Sequence, residues 1–350
     1  MISTIRLQNF RSYTDASFEF EPGVNIVVGP NASGKTNLLE AVMVLTLGGS
    51  FRGRDAELVR FGKSWCRLDG NFQKQARTVK IETANGSVAK DFVIDGRGFR
   101  RLSLDRTVPI VLFEPGHLQL LSRGPDGRRD YFDELLERSR PAYKSTLNAY
   151  RRTLAQRNAL LKHGQSRSGG QLFAWNVRLS ELGSQVAVAR QELVDQINQN
   201  LSRDYSKIAK RKSTVNIVYD SQFPVSVYAS RLLSKLEAST VTDFERGFTG
   251  HGPHREDFIF ELNSRPASQT ASRGETRSLL LSLKIFELGL LQKARGVKPI
   301  FLLDDVFSEL DGARRRALVS HLRGVQTVIT TTDADTVVEY FNLGQNLIAL

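Results

Sequence analysis

Over about its first 120 residues the chain alternates apolar and polar positions with a period of two, which is typical of half-buried strands. The dipeptides Asn85-Gly86 and Asp95-Gly96 favour hairpin turns, because both residues of such a turn adopt positive φ. One helix interrupts this region at Lys35–Leu47, and the Gly48-Gly49 pair ends it. Strands are predicted at 2–7, 17–20, 25–28, 67–72, 78–83, 88–94 and 109–113.

Between residues 130 and 212 the period becomes helical. One predicted helix carries apolar residues at Tyr143, Leu147, Tyr150, Leu154 and Leu161. After a polar loop at 163–170, a second helix has the three- and four-residue steps of a coiled-coil seam, at Leu172, Trp175, Leu179, Leu182, Val186, Ala189 and Leu193. Two helices of ~20 residues predict an antiparallel arm roughly 30 Å long. A compact helical subdomain without a projecting arm is the alternative.

The last hundred residues alternate strands and helices, which is α/β order resumed after a helical insertion. Strands are predicted at 258–262, 300–303 and 327–331, and helices at 275–293 and 313–322. The fold class is therefore predicted to be α/β, with mixed sheets and an inserted helical segment.

The chain is basic, with 49 Lys and Arg against 37 Asp and Glu and a net charge of +12. A surface of this sign attracts polyanions such as nucleic acid or anionic lipid, although a basic soluble protein without such a ligand is the alternative. The excess is local, because no acidic residue lies between Glu137 and Glu181. Nine basic residues occur there: Arg138, Arg140, Lys144, Arg151, Arg152, Arg157, Lys162, Arg167 and Arg178.

A second basic cluster follows at Lys207, Lys210, Arg211 and Lys212. Such clusters suit contact with the phosphate backbone of DNA and give no sign of base reading, while a solvated helix face is the alternative for any single residue. The predicted DNA contacts are Arg151, Arg152, Lys210, Arg211 and Lys212.

Several classes of protein are disfavoured by what the sequence contains. It has no signal-peptide-like run at its start and no stretch near ~18 apolar residues, so a cytoplasmic protein without membrane contact is predicted. A single cysteine, Cys66, cannot form an intramolecular disulfide and is expected to be a packed residue. The five histidines lack the usual zinc spacings.

A phosphate-binding motif lies between a predicted strand and a predicted helix. Residues 29–36 fit G-x-x-x-x-G-K-[ST], with Gly29, Pro30, Asn31, Ala32, Ser33, Gly34, Lys35 and Thr36. Backbone N–H groups of this loop are expected to converge on the β-phosphate of ATP, Lys35 to neutralise the β and γ oxygens, and Thr36 to bind Mg²⁺.

Two neighbouring carboxylates end the apolar strand at 300–305. A buried strand tolerates such a pair only at its end, where a metal or a ligand offsets the repulsion between the two carboxylates and the cost of removing them from water. Asp304 is predicted to hold Mg²⁺, and Asp305 to polarise the water that attacks the γ-phosphate. Two solvated turn residues are the alternative.

The segment Ser272-Arg273-Gly274-Glu275 precedes a predicted helix and has the spacing of a capping box. Its position before the aspartate pair also resembles the signature segment of ABC ATPases. In those proteins a serine and helix N-terminal amides contact the γ-phosphate held by a second chain, so Ser272, Gly274 and Glu275 are predicted nucleotide contacts. Residues 308–311, SELD, resemble the loop that crosses the dimer interface in the same superfamily.

Together these segments resemble the RecF family of replication and repair ATPases, which are related to SMC proteins. The stretches that carry the resemblance are Asn9-Phe10-Arg11, GPNASGKTNLLEA, residues 124–133, QRNALL, GPHREDF, SRGE and LLDDVFSELD. The resemblance implies a two-lobed ABC-type P-loop ATPase head with an inserted short coiled-coil arm. It places the first ATPase part at 1–122, the helical lobe and arm at 123–250, and the C-terminal ATPase part at 251–350.

The resemblance also implies ATP and Mg²⁺ as cofactors, Arg11 as a nucleotide contact, ATP-driven homodimerisation, slow ATP hydrolysis, and DNA binding in replication and recombinational repair. RecR and RecO are the implied protein partners. At 115–118 the sequence departs from the family pattern, which leaves Glu114 and Gln119 as alternatives for the Q-loop residue. Thr330–Thr332 stand where transporter-type ABC ATPases carry a switch histidine.

Two other functions compete with this interpretation. An ABC transporter's ATPase subunit shares the motifs but does not need a basic helical hairpin. An ATP-switched clamp with negligible turnover is the other, because Asp305 is shorter than the glutamate usual at its position.

Overall fold

The chain forms two units in the computed structural model. Unit 1 comprises Met1–Leu118, Lys207–Lys210 and Leu280–Leu350, and unit 2 comprises Gln119–Ser206 and Arg211–Leu279. The structure describes residues 1–72, 75–84, 86–163, 169–307, 309–341 and 345–350. The division into three segments at 122 and 250 stays a prediction.

The strands, in chain order, are β1 (Ile2–Phe10), β2 (Tyr13–Glu19), β3 (Val24–Val28), β4 (Trp65–Phe72), β5 (Gln75–Ala84), β6 (Ser87–Ile94), β7 (Arg97–Phe99), β8 (Ile110–Phe113), β9 (Val215–Asp220), β10 (Asp257–Leu262), β11 (Arg265–Pro266), β12 (Ile300–Asp304), β13 (Thr327–Thr331) and β14 (Gln345–Ala349). The helices are α1 (Lys35–Leu47), α2 (Pro125–Ser139), α3 (Tyr143–His163), α4 (Gly169–Asn198), α5 (Leu201–Ala209), α6 (Tyr228–Ala238), α7 (Thr240–Arg246), α8 (Ala267–Thr270), α9 (Arg273–Arg295), α10 (Gly312–His321) and α11 (Asp335–Val338).

Unit 1 contains two sheets. One is antiparallel, with the order β2-β1-β4-β5-β6-β7. The other is parallel, with the order β14-β3-β13-β12-β8. Because parallel strands share one carboxyl edge, the residues that follow β3, β12 and β13 lie at the same edge of the sheet.

Helix α1 lies in the core of unit 1. It contacts β4 and β5 of the antiparallel sheet and β8, β12 and β13 of the parallel sheet. Its apolar residues surround the helix rather than forming one stripe, as expected when a helix is covered on both sides. Cys66 packs in the same core and is fully buried, as predicted, and burial raises the pKa of its thiol to about 12.

Unit 2 combines a small antiparallel sheet, β11-β10-β9, with helices α2 to α7. Helix α4 packs on α3 as predicted, and it also packs on α6 and β9. A Cβ at Gly183 would lie 3.0 Å from Leu232 of α6, which shows how closely this third helix approaches. Helix α7 contacts α3 as well. The predicted helical pair therefore lies within a helical subdomain. This packing is the alternative that was weighed against a projecting arm.

Local signals predicted many elements well. Helix α1 has its predicted bounds, and Asp95 and Gly96 between β6 and β7 have φ of 48° and 79°, as a tight hairpin turn requires. At the other predicted turn, Asn85 lies outside the described residues. Strand β2 begins four residues earlier than predicted, at Tyr13 rather than at 17, and β7, β9, β11 and β14 were not predicted. Within the residues described, no helix is long and apolar enough to span a bilayer.

Candidate nucleotide-binding site

The loop of residues 29–34 connects β3 to α1 and has the backbone that its glycines permit. Gly34 has φ 110° and Ala32 has φ 66°, so the chain turns through the left-handed region twice. A Cβ at Gly29 would lie 2.6 Å from Ser33 Oγ and 2.9 Å from the carbonyl of Leu350, so this position accepts only glycine. The Tyr13 hydroxyl donates to the Gly34 carbonyl at 3.1 Å and fixes the start of α1.

Lys35 is 4% exposed, and its ammonium group bends back over the loop. Its Nζ donates to the carbonyls of Gly29 at 2.8 Å and Pro30 at 3.0 Å. No carboxylate pairs with it among the described residues, so its charge is not neutralised by another side chain there. Ser33 Oγ is buried and has no hydrogen-bond partner in the described part of the chain. A buried cation and an unsatisfied hydroxyl in a glycine loop at a helix N-terminus fit a phosphate group.

A cluster around Asp304 joins the loop to the neighbouring strands. Thr36 Oγ1 donates to Asp304 Oδ1 at 2.9 Å, and Thr330 Oγ1 donates to the same oxygen at 2.9 Å. Asp304 is 6% exposed, and burial raises the pKa of its carboxyl while the two threonine hydrogen bonds lower it. The hydroxyl of Thr36 and the carboxylate of Asp304 thus form a pair of hard oxygen ligands, which fits Mg²⁺. The described residues hold no group of three or more His, Cys, Asp or Glu arranged for a metal, so any such ion needs ligands from water and phosphate.

Asp305 occupies a different environment from Asp304. Its φ is 54°, in the left-handed region that aspartate tolerates better than most residues. Its backbone N–H donates to Thr330 Oγ1 at 2.9 Å, so Thr330 contacts both members of the pair. Asp305 is half-buried, whereas Asp304 is buried. In the sequence Thr330 belongs to a threonine triplet without an assigned role, and only the fold brings it beside the carboxylates.

Arg11 is held by the carboxylate of Glu40, which was not among the predicted site residues. Its guanidinium donates to Glu40 at 2.8 and 2.7 Å, and this pairing raises the pKa of Arg11. Glu40 belongs to α1 and is fully buried, and it also accepts from Ser50 at 2.5 Å. A glutamate within the otherwise apolar run LLEAV was the signal for a buried ionic partner. Arg11 is therefore positioned by α1, and its role toward ATP stays a prediction.

The signature residues form the capping box that their spacing predicts. Ser272 N–H donates to Glu275 Oε2 at 2.9 Å, and Glu275 N–H donates to Ser272 Oγ at 3.3 Å, at the start of α9. Arg211 lies 3.8 Å from Glu275 Oε1. Ser272, Gly274 and Glu275 belong to unit 2, whereas the phosphate loop and the paired aspartates belong to unit 1. A contact of the signature with nucleotide stays a prediction.

The basic residues of unit 2 are not equivalent. Arg157 was counted in the basic run, but it is fully buried and pairs with buried Asp243 at 2.8 Å, so it does not offer its charge to DNA. Arg151 is exposed and lies 3.9 Å from Asp133 and 4.0 Å from Asp130. Arg140, Lys144 and Arg178 pair with Glu192, Glu137 and Glu181. Arg167 lies outside the described residues.

Three predicted DNA contacts keep their charge free of carboxylate partners within the described ranges. These are Arg152, Lys210 and Lys212, and all three are exposed. Lys210 follows α5 with φ 49°. The exposed cations of this set are the ones that suit a phosphate backbone.

The remaining predicted motif residues have local roles in the structure. Asp311 caps α10 by accepting from the N–H of Arg314 at 2.9 Å, while Ser308 lies outside the described residues. The N–H of Glu114 donates to His117 Nδ1 at 3.1 Å. The structure does not choose between Glu114 and Gln119 for the Q-loop, and both stay predictions.

Known protein sequences match this chain along nearly its whole length. The family model for the RecF/RecN/SMC N terminal domain matches residues 1–345. The DNA replication and repair protein RecF of Heliobacterium modesticaldum is 36% identical over 342 residues, covering 95% of this chain and 92% of that protein. The RecF protein of Symbiobacterium thermophilum is 36% identical over 345 residues, covering 95% and 92%.

Solved structures agree with these matches. The recombination mediator protein RecF with ATPrS, described in the RecFOR pathway, has a TM-score of 0.84, with 29% identity over 96% of this chain and 94% of that chain. An SMC head bound to the C-winged helix domain of ScpA has a TM-score of 0.57 at 15% identity, over 97% and 91%, and so shares the fold. The predicted α/β ABC-type head and the predicted family are thus confirmed. The chain belongs to the RecF family of DNA replication and repair proteins.

Proposed function

We propose that this chain is an ATP-dependent DNA-binding ATPase of replication and recombinational repair, in which two copies pair on ATP and clamp DNA. The observation that carries the proposal is the 2.9 Å contact between Thr36 and Asp304, which joins a phosphate loop to the acidic end of a parallel strand. RecF relatives solved with ATP and with ATPrS support ATP as the ligand.

The phosphate loop would bind the triphosphate through its own groups. N–H groups of residues 29–34 and the start of α1 face an anion favourably, because a helix N-terminus carries partial positive charge. Lys35 would exchange its two carbonyl contacts for phosphate oxygens, and Thr36 and Asp304 would hold Mg²⁺. The ion supplies charge neutralisation at the β and γ oxygens.

Hydrolysis requires a water aligned with the γ-phosphorus. We assign this alignment to Asp305, whose carboxylate accepts a hydrogen bond from the water as its oxygen bonds to phosphorus and the bond to the β-phosphate oxygen breaks. ADP and inorganic phosphate are the products. We propose slow turnover, because the side chain of Asp305 is short and its backbone is fixed by Thr330.

Pairing of two copies would complete each site. The start of α9, with Ser272 and the N–H groups that follow it, suits contact with the γ-phosphate held by the other copy. The capping box keeps this helix start ordered in one chain, so the capping role and the signature role are compatible.

DNA binding would use the exposed cations of the basic clusters. Arg152, Lys210 and Lys212 suit backbone contact with duplex or gapped DNA, and Arg151 and Arg211 would add positive charge beside them. The names of the relatives support replication and repair as the setting, and the RecFOR pathway named for one of them supports a role in recombination. RecR and RecO as partners, recombinase loading as the process assisted and the cytoplasm as the location complete the proposal.

One alternative has a specific observation in its favour. An ATP-switched clamp with negligible turnover fits the short Asp305 and its fixed backbone. The transporter alternative is left without support, since the chain matches RecF proteins over 95% of its length.

The test combines oligomeric mass with binding to blunt duplex, gapped and overhanging DNA, with Mg-ATP and without nucleotide. Wild type should become a dimer and bind DNA only with Mg-ATP. The variant Lys35→Ala should do neither, because a charge-assisted phosphate contact is lost. Nucleotide-independent DNA binding, or a Lys35→Ala dimer, would show that the ATP-driven clamp is wrong. Measurable turnover of the wild-type dimer separates the ATPase from the switched clamp.

A further inference from the structure

A turn in unit 1 carries a fully exposed aromatic side chain. Phe61 has a relative exposure of 101%, and it lies in the turn that precedes β4. The turn is well formed, because the N–H of Lys63 donates to the carbonyl of Arg60 at 3.0 Å and Gly62 has φ 77°. A phenylalanine ring kept in water forgoes the stabilisation that burial provides. A single exposed ring is common on protein surfaces, so the charge of the neighbouring residues decides what it could bind.

The sequence around Phe61 is basic. Residues 51–65 contain four cations, Arg52, Arg54, Arg60 and Lys63, and two acids, Asp55 and Glu57, for a net charge of +2. Asp55 is paired with Lys90 at 2.6 Å, and Arg52 with Glu40 at 3.5 Å, which leaves Arg54, Arg60 and Lys63 against Glu57. Arg54 and Lys63 are exposed, and neither pairs with a carboxylate among the described residues. The charge that is left for a ligand is therefore positive.

The same segment is hydrogen-bonded to Ser12, between β1 and β2, and to Asn37 in the first turn of α1. Arg60 Nη1 donates to the carbonyl of Ser12 at 2.6 Å, and Arg52 Nη2 donates to Asn37 Oδ1 at 2.8 Å. Asn37 follows Thr36 directly, and its Nδ2 donates to Ser12 Oγ at 2.9 Å. These hydrogen bonds thus connect the start of α1 to the turn at residues 60–63.

We propose that residues 60–63, the Phe61 turn, form a DNA contact in which Phe61 stacks on an unpaired base while Arg54 and Lys63 contact the neighbouring phosphates. This inference rests on the proposed function. Every base has a π-face, so an aromatic ring beside cations binds single-stranded nucleic acid with little sequence preference. In a blunt duplex the base faces are covered by their neighbours, so the Phe61 turn contributes where a strand extends beyond the duplex.

A protein partner fits the turn less well than a base. Protein docking sites have a contiguous apolar centre, whereas the residues that flank Phe61 are Arg60 on one side and Gly62, Lys63 and Ser64 on the other. Trp65, 37% exposed at the start of β4, is the nearest exposed aromatic in sequence. A single ring among cations matches the chemistry of a base and its phosphates.

The test uses full-length Phe61→Ala, Phe61→Leu and Phe61→Trp with Mg-ATP. Two DNAs are compared, a blunt duplex and the same duplex with a single-stranded extension. Phe61→Ala and Phe61→Leu should bind the extended DNA about tenfold more weakly than wild type, the factor expected for one base stack, and should bind the blunt duplex within twofold of wild type. Phe61→Trp should bind the extended DNA with wild-type affinity. The fluorescence of the new tryptophan should be quenched by the extended DNA and not by the blunt duplex. Phe173→Ala is the matched control, because Phe173 of α4 is another exposed phenylalanine, at 51%.

Each other outcome overturns the assignment. Wild-type affinity in Phe61→Leu would indicate apolar docking of a protein, and loss of the ATP-dependent dimer in Phe61→Ala would place the ring in the dimer interface. An equal loss on both DNAs would exclude base stacking. If wild type binds DNA and Phe61→Ala matches it on both, the Phe61 assignment alone is wrong. If wild type binds neither DNA with Mg-ATP, the proposed function fails and the Phe61 assignment with it.

Discussion

Thr36 and Asp304 are joined by a 2.9 Å hydrogen bond although 268 positions separate them in the chain. The bond connects the first turn of α1 to the end of β12, and a second hydrogen bond from Thr330 completes the cluster. Two hydroxyls on one buried carboxylate oxygen keep the carboxylate in place for a cation.

The first prediction concerns the Thr36 hydroxyl. Thr36→Val keeps the shape but removes the oxygen, so Mg-ATP affinity should fall about tenfold or more, as for the loss of a hydrogen bond to a charged group. Thr36→Ser should stay near wild type. Isothermal titration with ATP, with and without Mg²⁺, measures both. The role assigned to Thr36 is wrong if valine and serine behave alike.

The second prediction separates the paired aspartates. Asp305→Asn removes the charge that orients water but keeps the size, so hydrolysis should fall about a hundredfold or more while the ATP dimer persists. Asp304→Asn should instead lose Mg²⁺-dependent ATP affinity. The DNA dissociation rate in Mg-ATP should therefore be slower than wild type for Asp305→Asn and faster for Asp304→Asn. Equal, fast release from both variants would show that Asp305 does not gate the clamp.

The third prediction tests Ser272 across the dimer. Ser272→Ala should cost about 1 kcal/mol of stability, as for a lost helix cap. Ser272→Arg should fold and bind ATP as a monomer but fail to dimerise. Mixing Ser272→Arg with Lys35→Ala should recover dimers, because one of the two sites in such a dimer keeps both an intact phosphate loop and an intact signature. Sedimentation of the mixture measures this, and its failure with folded variants would argue for capping as the whole role of Ser272.

The fourth prediction concerns Arg152. Arg152→Glu should weaken DNA binding and lower the slope of log affinity against log salt by about 0.9, the contribution of one phosphate contact. ATP binding without DNA should not change. Arg101→Glu is the matched control, since it changes the net charge equally at an exposed position of unit 1. An equal effect of the two variants would mean that only the overall charge matters.

The fifth prediction concerns the pH dependence of unit 2. His254 accepts from the Tyr150 hydroxyl at 2.6 Å through Nδ1 and donates to the Thr249 carbonyl at 3.1 Å through Nε2, which requires the neutral ring. Burial lowers the pKa of His254 from 6.5 to about 4. Because the folded pKa lies below the unfolded one, the stabilisation is present above pH 6.5 and is lost as the pH falls toward 4.

The expected loss of unfolding free energy between pH 7 and pH 4 is on the order of 3 kcal/mol relative to His254→Gln, from about 1.4 kcal/mol for each unit of pKa. Urea unfolding in a Trp65→Phe background reports unit 2 through Trp175 of α4. If the difference in unfolding free energy between wild type and His254→Gln stays constant with pH, His254 is not held neutral by burial.

The sequence by itself determined the elements whose signals are local. The phosphate loop, α1 and the strand ending at Asp304 were predicted because glycine placement, helix period and an apolar run act within a few residues. The capping box of Ser272 and Glu275 is also local, and it formed as its spacing indicates.

Only the tertiary structure decided which distant groups meet. Thr330 reaches Asp304 across 26 positions, and Arg11 reaches Glu40 across 29, because the strands and α1 pack into one core. Arg157 looked like a surface cation in a basic run, yet it is buried against Asp243. A linear charge pattern cannot distinguish a cation that faces water from one that faces a partner folded against it, since burial depends on packing between elements rather than on neighbours in the chain.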